Sequence, residues 1–225
     1  MGKNKLAKFE EMKSFDNVFE PPMDAVKKEN FDLKGNWAKN FFNNDHPITL
    51  ELGCGKGEYS VNLARKYPNR NFIGVDIKGA RMWRGAKTAK EENLTNVAFL
   101  RTKIEFINRF FDRDEVSEIW LTFSDPQPKK PNKRLTSRPF IERYQELLKK
   151  DGIIHVKTDS PLLYEFTCEQ LEEYPYKVIH NTSDVYGDWF TQASPEDQEI
   201  LSIKTHYEKL FSEKGHVITY CAFIP

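Results

Sequence analysis

The sequence predicts an α/β fold in which a largely parallel β-sheet lies between two layers of helices. Short apolar runs alternate with helical stretches of about 10–15 residues, which is the pattern of consecutive βαβ units. A glycine-rich turn directly follows the first of these apolar runs. Right-handed crossovers then bring the loops that follow the strands to one edge of the sheet, where α/β proteins bind their ligands.

The first half of the predicted sheet begins near Pro47. Ile48–Leu52 is a short apolar run, and the glycine-rich turn after it opens a helical stretch through Tyr67. The next predicted elements are a strand at Asn71–Asp76, a helix at Lys78–Glu92, and strands at Val97–Arg101 and Val116–Phe123.

The second half follows a proline-rich loop at Ser124–Pro131. A helical stretch at Phe140–Lys150 precedes Asp151-Gly152, a pair that is typical of a helix stop. The remaining predicted elements are a strand at Ile153–Thr158, a helix at Pro161–Glu173, and late strands at Tyr176–His180 and Val217–Ile224.

Length and composition indicate a globular protein with one main domain. Residues 1–45 carry mixed charge and the Pro21-Pro22 pair, and we predict a partly helical N-terminal extension there, followed by a domain over residues 46–225. Of the 225 residues, 39% are hydrophobic and 30% are charged. No apolar run approaches the ~18 residues that a membrane span needs. We therefore expect no membrane association.

Cysteine usage points to a reducing compartment. The three cysteines, Cys54, Cys168 and Cys221, are far apart and show no CxxC spacing. This pattern argues against a secreted disulfide scaffold and against a zinc site. We therefore expect a cytoplasmic protein that holds no metal.

The charges are balanced in number but not in position. Lysine plus arginine and aspartate plus glutamate count 34 each. Two segments, Lys78–Lys90 and Lys129–Arg138, each contain five cations and no acid, whereas Glu172–Glu199 is mostly acidic. Local basic patches suit a polyanion such as RNA, although a solvated surface explains either patch alone equally well.

The turn after the first strand, Glu51-Leu-Gly-Cys-Gly-Lys-Gly, predicts a cofactor site. Gly53, Gly55 and Gly57 allow a sharp turn and let a ligand approach bare backbone at a helix N-terminus. The spacing is GxGxG and not the GxGxxG of dinucleotide folds, which opposes an NAD-dependent oxidoreductase. Asp76 ends the second strand, where an acid accepts both hydroxyls of a ribose. An ExGxGxG turn followed by a ribose-binding acid resembles class I S-adenosylmethionine-dependent methyltransferases.

The loop after the fourth strand separates classes of methyl acceptor. Enzymes that methylate exocyclic amines carry adjacent prolines and an aromatic residue there, whereas this chain has Asp125-Pro126-Gln127-Pro128. The segment FSDPQPKKPNKRL, followed by HVKTD (His155–Asp159) and TxYExxF (Thr205–Phe211), resembles the bacterial tRNA (guanine-N7-)-methyltransferase family. Together with the cofactor turn, these motifs cover the chain from about Thr49 to Phe211.

The resemblance carries specific expectations. It implies a class I, Rossmann-like three-layer sandwich whose seven-stranded, mostly parallel sheet has an antiparallel late strand. It implies methyl transfer from S-adenosylmethionine to N7 of a guanine at position 46, in the variable loop of tRNA. Neither a metal nor an obligatory protein partner is implied, so we expect a monomer or a homodimer. The family's cofactor positions fall on Glu51, Asp76 and Asp125, and its substrate positions fall on Lys129, Asp159, Thr205, His206, Tyr207 and Glu208.

Two departures from the family pattern bear on the site. Gln127 stands where the family usually has tryptophan, so an aromatic platform for stacking is absent or supplied elsewhere, and Pro131 replaces a basic pair. Lys103 stands where an acceptor for the adenine amine is expected, which leaves backbone groups or Glu105 to take that role.

The reaction that the resemblance implies needs positioning more than base catalysis. Guanine N7 carries a lone pair and no proton, so it attacks a sulfonium methyl directly, and in-line placement supplies ~7–11 kcal/mol of the barrier reduction. We assign Asp125 to the methyl-transfer centre, where its charge stabilises the purine as it becomes cationic. Asp159 and Glu208 are expected to hold donors of the guanine or its ribose. A helix N-cap is the alternative role for Asp159.

The basic segments then have separate expected roles. Phosphates of the RNA are assigned to the loop cations Lys130, Lys133, Arg134 and Arg138. The stripe Lys78–Lys90 contacts either another part of the tRNA or only solvent, with solvent slightly favoured. Trp83 within it is more often a core residue than a stacking platform.

Two further functions remain open at this point. A methyltransferase that acts on another RNA or on a small molecule shares the fold, and it requires the Lys129–Arg138 segment to be ordinary surface. An RNA-binding protein with decayed catalysis is suggested by Gln127 and Lys103, and it is opposed by the intact glycines with Glu51 and Asp76.

Overall fold

The computed structural model describes residues 2–22, 24 and 31–225, and over these residues it confirms the predicted α/β class. One sheet contains eight strands within the described part of the chain, in the order β1-β4-β3-β2-β5-β6-β8-β7. The strands are β1 (Val18–Phe19), β2 (Ile48–Leu52), β3 (Asn71–Asp76), β4 (Val97–Arg101), β5 (Val116–Thr122), β6 (Leu148–Thr158), β7 (Lys177–Thr182) and β8 (Thr219–Ile224). The late strand β8 is antiparallel to both of its neighbours, as expected.

Helices cover both faces of the sheet. The α-helices in the described ranges are α1 (Gly2–Met12), α2 (Glu58–Lys66), α3 (Gly79–Glu91), α4 (Arg138–Leu147), α5 (Pro161–Glu173), α6 (Asp188–Gln192), α7 (Pro195–Leu201) and α8 (His206–Glu213). Shorter turns are a π-helical turn at Trp37–Phe41 and 3₁₀ turns at Ile104–Arg109 and Pro131–Lys133. None of the helices described is long and apolar enough to cross a membrane.

The sheet differs from the expected one in two places. It has eight strands where seven were expected, because Val18–Phe19 pairs in parallel with Phe99–Leu100 of β4. The predicted helix stop at Asp151-Gly152 is wrong: α4 ends at Leu147, and β6 begins at the next residue. Asp151 adopts a φ of 63°, and the pairing of β6 with β5 is irregular between Leu148 and Ile153.

The N-terminal segment contributes to the main core. Trp37 is fully buried, its indole N–H donates a hydrogen bond of 2.9 Å to the carbonyl of Phe110, and its ring stacks on Phe111. Met12 at the end of α1 is buried in the second apolar cluster, on the other face of the sheet. Residues 1–45, expected as an extension, therefore supply side chains to both layers of packing.

Parallel pairing places the candidate site. β2 to β6 run in the same direction, so the loops that follow them meet at the carboxyl edge of the sheet. Strands β2 and β3 are buried along their whole length, and β4 and β5 are buried except at Arg101, Ser117 and Glu118, which are partly exposed. The loops are therefore held on a rigid support.

Candidate active site

A cavity of about 670 Å³ opens at the carboxyl edge of the sheet. Its wall is formed by the loops after β2, β3, β4 and β5 and by the start of α8. Several of the predicted site residues line it together: Glu51, Gly53, Gly55, Asp76, Asp125, Lys130, Lys133, Thr205 and Tyr207. The predicted cofactor turn and the predicted methyl-transfer loop therefore face one space.

The turn after β2 leaves bare backbone facing the cavity. Gly53 and Gly55 adopt φ values of 82° and 56°, in the left-handed region that favours glycine. A Cβ on either residue would meet no atom closer than 4.0 Å. Asp76 ties this turn to β3, since its Oδ2 accepts a hydrogen bond of 2.9 Å from the Gly55 N–H and its Oδ1 accepts one of 2.8 Å from the Lys78 N–H.

Gly57 has a different role from the one predicted. It does not line the cavity but lies at the N-cap of α2, with a φ of 69°. A Cβ there would come within 2.4 Å of the Phe99 ring and 3.3 Å of the Cα of Gly85 in α3. The close approach of α2 to α3 therefore explains this glycine, and no ligand is needed to do so.

Glu51 lies at the floor of the cavity with its carboxylate fully engaged. Oε2 accepts hydrogen bonds from the backbone N–H and hydroxyl of Ser60 at 2.9 and 2.5 Å, and Oε1 accepts one of 2.7 Å from the Thr122 hydroxyl. Burial raises the pKa of Glu51 to about 7, against these hydrogen bonds, and the nearby charge of Asp76 acts in the same direction as burial.

The loop after β5 holds Asp125 at the cavity wall. Asp125 is exposed, and its Oδ1 accepts a hydrogen bond of 2.9 Å from the Gln127 N–H. Phe123 and Gln127, on either side of it, adopt φ values of 51° and 45°, an uncommon conformation for residues with side chains. The buried hydroxyl of Ser124 has no hydrogen-bond partner among the residues described.

Arg134 is not available to RNA, contrary to our prediction. Its exposed fraction is 6%, its Nε donates a hydrogen bond of 2.9 Å to the carbonyl of Pro126, and its guanidinium lies 4.4 Å from the centre of the Phe166 ring. The side chain therefore supports the Asp125 loop from within the protein. Arg138 is exposed but lies outside the cavity wall, 2.7 Å from Glu142 and over the ring of Tyr174.

The other loop cations remain accessible. Lys129 and Lys130 are exposed, and Lys130 lines the cavity together with Lys133. Lys133 forms an ion pair of 3.2 Å with Glu105, which lines the same cavity close to Lys103. The two residues that we weighed for contact with an adenine, Lys103 and Glu105, thus do lie at the site.

Asp159 is not part of the cavity wall. Its Oδ2 is 3.2 Å from Nδ1 of His216, in the loop before β8. The alternative role as a helix cap is wrong, because the Ser160 hydroxyl caps α5 by accepting a hydrogen bond of 3.3 Å from the Leu163 N–H.

The predicted substrate residues at the start of α8 differ in whether they face the cavity. The Thr205 hydroxyl caps the helix by accepting a hydrogen bond of 3.2 Å from the Glu208 N–H, and Tyr207 lines the cavity. His206 is exposed, and its N–H donates to Oε2 of Glu58 at 2.7 Å. The Tyr207 ring stacks on Phe211, so aromatic side chains reach the site although Gln127 replaces the expected tryptophan.

Glu208 is buried in an ion pair, contrary to the predicted contact with substrate. Both Glu208 and Lys157 are completely inaccessible, with Nζ of Lys157 2.8 Å from Oε1 of Glu208. Nζ also donates to the carbonyl of Leu201 at 2.6 Å, and the Tyr186 hydroxyl hydrogen-bonds Glu208. Burial lowers the pKa of Lys157 to about 8, with Glu208 opposing the shift. The HVKTD motif contains Lys157, but only the fold reveals its partner.

The basic stripe on α3 is divided in two. Lys78 and Arg81 line the cavity, whereas Lys87 pairs with Glu11 of α1 at 2.8 Å. Trp83 is partly buried and donates from its indole N–H to Glu11 at 2.7 Å, so it is a packing residue. In the described ranges no cluster of three or more histidine, cysteine, aspartate or glutamate side chains is placed to hold a metal ion.

The fold and the site together define a class I S-adenosylmethionine-dependent methyltransferase. A family model described as "Putative methyltransferase" matches residues 45–221. Solved structures of low sequence identity share the fold. The 16S rRNA methyltransferase KamB aligns with a TM-score of 0.60 at 16% identity, over 82% of this chain and 90% of that one.

Curated relatives specify the family. The tRNA (guanine-N(7)-)-methyltransferase of Bacteroides thetaiotaomicron is 54% identical over 99% of this chain and 86% of its own length. The enzyme of the same name from Christiangramia forsetii is 51% identical over 98% of this chain and 97% of its own. The chain belongs to the tRNA (guanine-N7-)-methyltransferase family.

Proposed function

We propose that this protein transfers a methyl group from S-adenosylmethionine to N7 of a guanine in tRNA, and that the target is position 46 in the variable loop. The observation that carries the proposal is the shared cavity, in which the Gly53–Gly55 turn and Asp76 face the loop of Asp125. Family membership supports the same acceptor atom.

The residues present fit the cofactor. Bound S-adenosylmethionine supplies an electrophilic methyl group on a sulfonium. The open backbone at Gly53 and Gly55 leaves room for close contact. The Asp76 oxygens each accept one backbone N–H and keep a lone pair for a ribose hydroxyl. We assign the cofactor to this side of the cavity, with Glu51 beneath the charged end of the ligand.

On the acceptor side, we assign the guanine to the space between Asp125 and Tyr207. The N7 lone pair needs no base, so the site has only to align it and to stabilise the positive charge that develops on the purine. The Gln127 N–H fixes the Asp125 carboxylate for that purpose. Stacking of a base on an aromatic ring contributes about 1–3 kcal/mol, and Tyr207 with Phe211 offers such a ring.

The rim contributes sequence-independent contacts. We assign phosphates of the tRNA to the exposed lysines of the loop after β5, Lys129 and Lys130, with Lys133 beside them. The proposed reaction requires neither a metal ion nor a second protein, so a monomer or a homodimer suffices. Three free cysteines suit the reducing cytoplasm, which is where we place the enzyme.

A nucleoside analysis tests this function. The protein is incubated with labelled S-adenosylmethionine and two tRNA transcripts that differ only in having guanine or adenine at position 46. We expect label in 7-methylguanosine from the first transcript and none from the second. Label in another nucleoside refutes the proposed chemistry, whereas equal 7-methylguanosine from both transcripts refutes the position alone.

A further inference from the structure

Three cations, one at the N-cap of α3 and two in its first half, form a surface at the mouth of the cavity. Lys78, Arg81 and Arg84 are exposed and follow one another at intervals of three residues, so they lie on neighbouring turns of the chain. Lys78 and Arg81 line the cavity, and the Arg81 guanidinium is 5.8 Å from the centre of the Tyr207 ring. We call these three residues the α3 rim.

The α3 rim is free of acidic partners within the described residues, and the rest of the stripe is not free. Lys87 is paired with Glu11 at 2.8 Å, and Lys90 donates a hydrogen bond of 3.0 Å to the carbonyl of Ser14. The N-terminal segment thus engages the cations that lie far from the cavity. Among the described residues of the stripe, the cations whose charged group has neither a hydrogen bond nor an ion pair are therefore those of the α3 rim.

A second group of cations lines the same cavity from the other side of β2, because α3 follows β3 and this group follows β5, and these two strands flank β2. Lys130 and Lys133, from the loop after β5, line the same space as Lys78 and Arg81. The same wall also contains five carboxylates, those of Glu51, Glu58, Asp76, Glu105 and Asp125. Cations that follow β3 and cations that follow β5 therefore both line the cavity, and of the second group Lys133 is paired with Glu105 whereas Lys130 is exposed.

We propose that the α3 rim binds phosphates of the tRNA strand on one side of the target guanine, while the loop lysines bind phosphates on the other side. The strand then crosses the mouth of the cavity with the target nucleotide between the two groups. Guanidinium and ammonium groups are the usual phosphate ligands, and arginine binds phosphate oxygens in a bidentate manner. This inference rests on the proposed function for the identity of the RNA.

The test compares two variants that lose the same charge. One carries Lys78→Ala, Arg81→Ala and Arg84→Ala. The other carries Lys149→Ala, Lys150→Ala and Lys177→Ala, which removes three exposed cations from the opposite, amino edge of the sheet. The dissociation constant for unfractionated tRNA is measured between about 50 and 200 mM salt. Each phosphate contact that is lost from a single strand lowers the steepness of log K against log salt by roughly 0.7.

We expect the α3 rim variant to lose roughly 2 from that slope and at least tenfold in affinity at low salt. The amino-edge variant should keep the parent slope. A parent slope in the α3 rim variant overturns the proposal, as does an equal loss in both variants. If the triple variant unfolds early in a thermal scan, Arg84→Glu replaces it, because Arg84 lies outside the cavity wall and should by itself weaken binding.

Binding is measured here without methyl transfer, so the two proposals fail separately. A parent protein that binds tRNA with the expected slope but forms no 7-methylguanosine refutes the proposed function and leaves the α3 rim in place. A triple variant with unchanged binding refutes the α3 rim, whichever base is methylated.

Discussion

At the scale of single residues, Asp125 combines exposure with a fixed orientation. Its carboxylate reaches the cavity while one oxygen is held by the Gln127 N–H at 2.9 Å. A group that is fixed before the reaction needs no reorganisation as charge develops, which is the condition for strong electrostatic stabilisation. We therefore expect the charge of this side chain to matter more than its shape.

The substitution Asp125→Asn tests this expectation. It keeps the shape and removes the charge, so single-turnover methyl transfer should fall by about 10²-fold, the scale of losing one preorganised electrostatic partner. Binding of tRNA should change little, because phosphates dominate it. The matched control is Asp114→Asn, an exposed carboxylate near the amino edge, which should keep the parent rate.

The pH profile of the parent enzyme separates positioning from base catalysis. With cofactor and tRNA saturating, we expect the chemical step to show no steep rise through neutral pH, since no group must lose a proton before N7 attacks. An ionisation that governs this step in the parent and is absent from Asp125→Asn contradicts the assignment, and it makes Asp125 a general base.

Glu51 gives the folded protein a pH dependence of its own. Its pKa of about 7 lies above the ordinary value of 4.5, so the folded state favours the protonated form. This contribution to stability is fully present below pH 4.5 and is lost as the pH rises through about 7. We expect the melting temperature of Glu51→Gln, relative to that of the parent, to increase by several degrees between about pH 5.5 and pH 8.5. For a protein of this size, ~1 kcal/mol of stability corresponds to roughly 2–4 °C. A constant difference between the two proteins would falsify this account.

At the scale of elements, the ion pair between Lys157 and Glu208 joins the end of β6 to the first turn of α8. Because Tyr207 precedes Glu208 directly, the pair fixes the helix that presents this ring to the cavity. Each of Lys157→Met and Glu208→Leu leaves one buried charge unpaired, and each should cost about 3–5 kcal/mol of stability.

The double variant Lys157→Met/Glu208→Leu distinguishes a structural role of Glu208 in the buried ion pair from a role in contacting the substrate. It leaves no unpaired charge, so we expect it to recover most of the lost stability and to methylate tRNA at close to the parent rate. Thermal unfolding and initial rates below the transition measure both effects. A folded double variant that is as slow as Glu208→Leu alone would show that Glu208 acts on the substrate itself.

The elements that could be predicted from the sequence are those with local signals. Observed bounds match the predicted ones for Asn71–Asp76, Val97–Arg101 and Pro161–Glu173. Strand β1 has only two residues and is formed by pairing with β4, a partner about 80 residues away along the chain that no local pattern reveals. The sequence places the end of α4 at Lys150, because Asp151-Gly152 is typical of a helix stop. In the structure the helix ends at Leu147, and the Asp-Gly pair lies inside β6.

In the candidate site too, residues with a local sequence signal could be predicted, whereas residues whose role depends on distant partners could not. Gly53, Gly55 and Asp76 are predicted from the glycine-rich turn and the strand end, and Asp125 is predicted from the resemblance. All four line one cavity, because parallel strands bring their carboxyl ends together. Arg134 is assigned to RNA from its place in a basic segment and Glu208 to the substrate from the resemblance, and neither ground reveals that the side chain is buried. Their partners, the carbonyl of Pro126 and the ammonium of Lys157, become visible only in the folded chain.

At the scale of the whole molecule, the N-terminal segment is required to complete the core. Trp37 is fully buried, and removing a buried tryptophan side chain costs about 3–5 kcal/mol, a large share of the stability of a domain. We expect a chain that begins at residue 46 to lose cooperative thermal unfolding. Removal of residues 1–7 is the control, because the described side chains there are exposed and the melting temperature should stay close to that of the parent. A truncated chain that keeps the parent transition contradicts this prediction.

The position of β8 also decides when the sheet can be completed during synthesis. Thr219–Ile224 lies between β6 and β7 and is the strand that pairs with β7. Ribosomes add about 5–20 residues per second, so several seconds separate the emergence of β6 from that of β8. Throughout that interval the outer edge of β6 has no partner, and open edges are templates for pairing with other chains. A nascent chain halted before residue 219 therefore exposes an edge of β6 to which strands of other chains can pair.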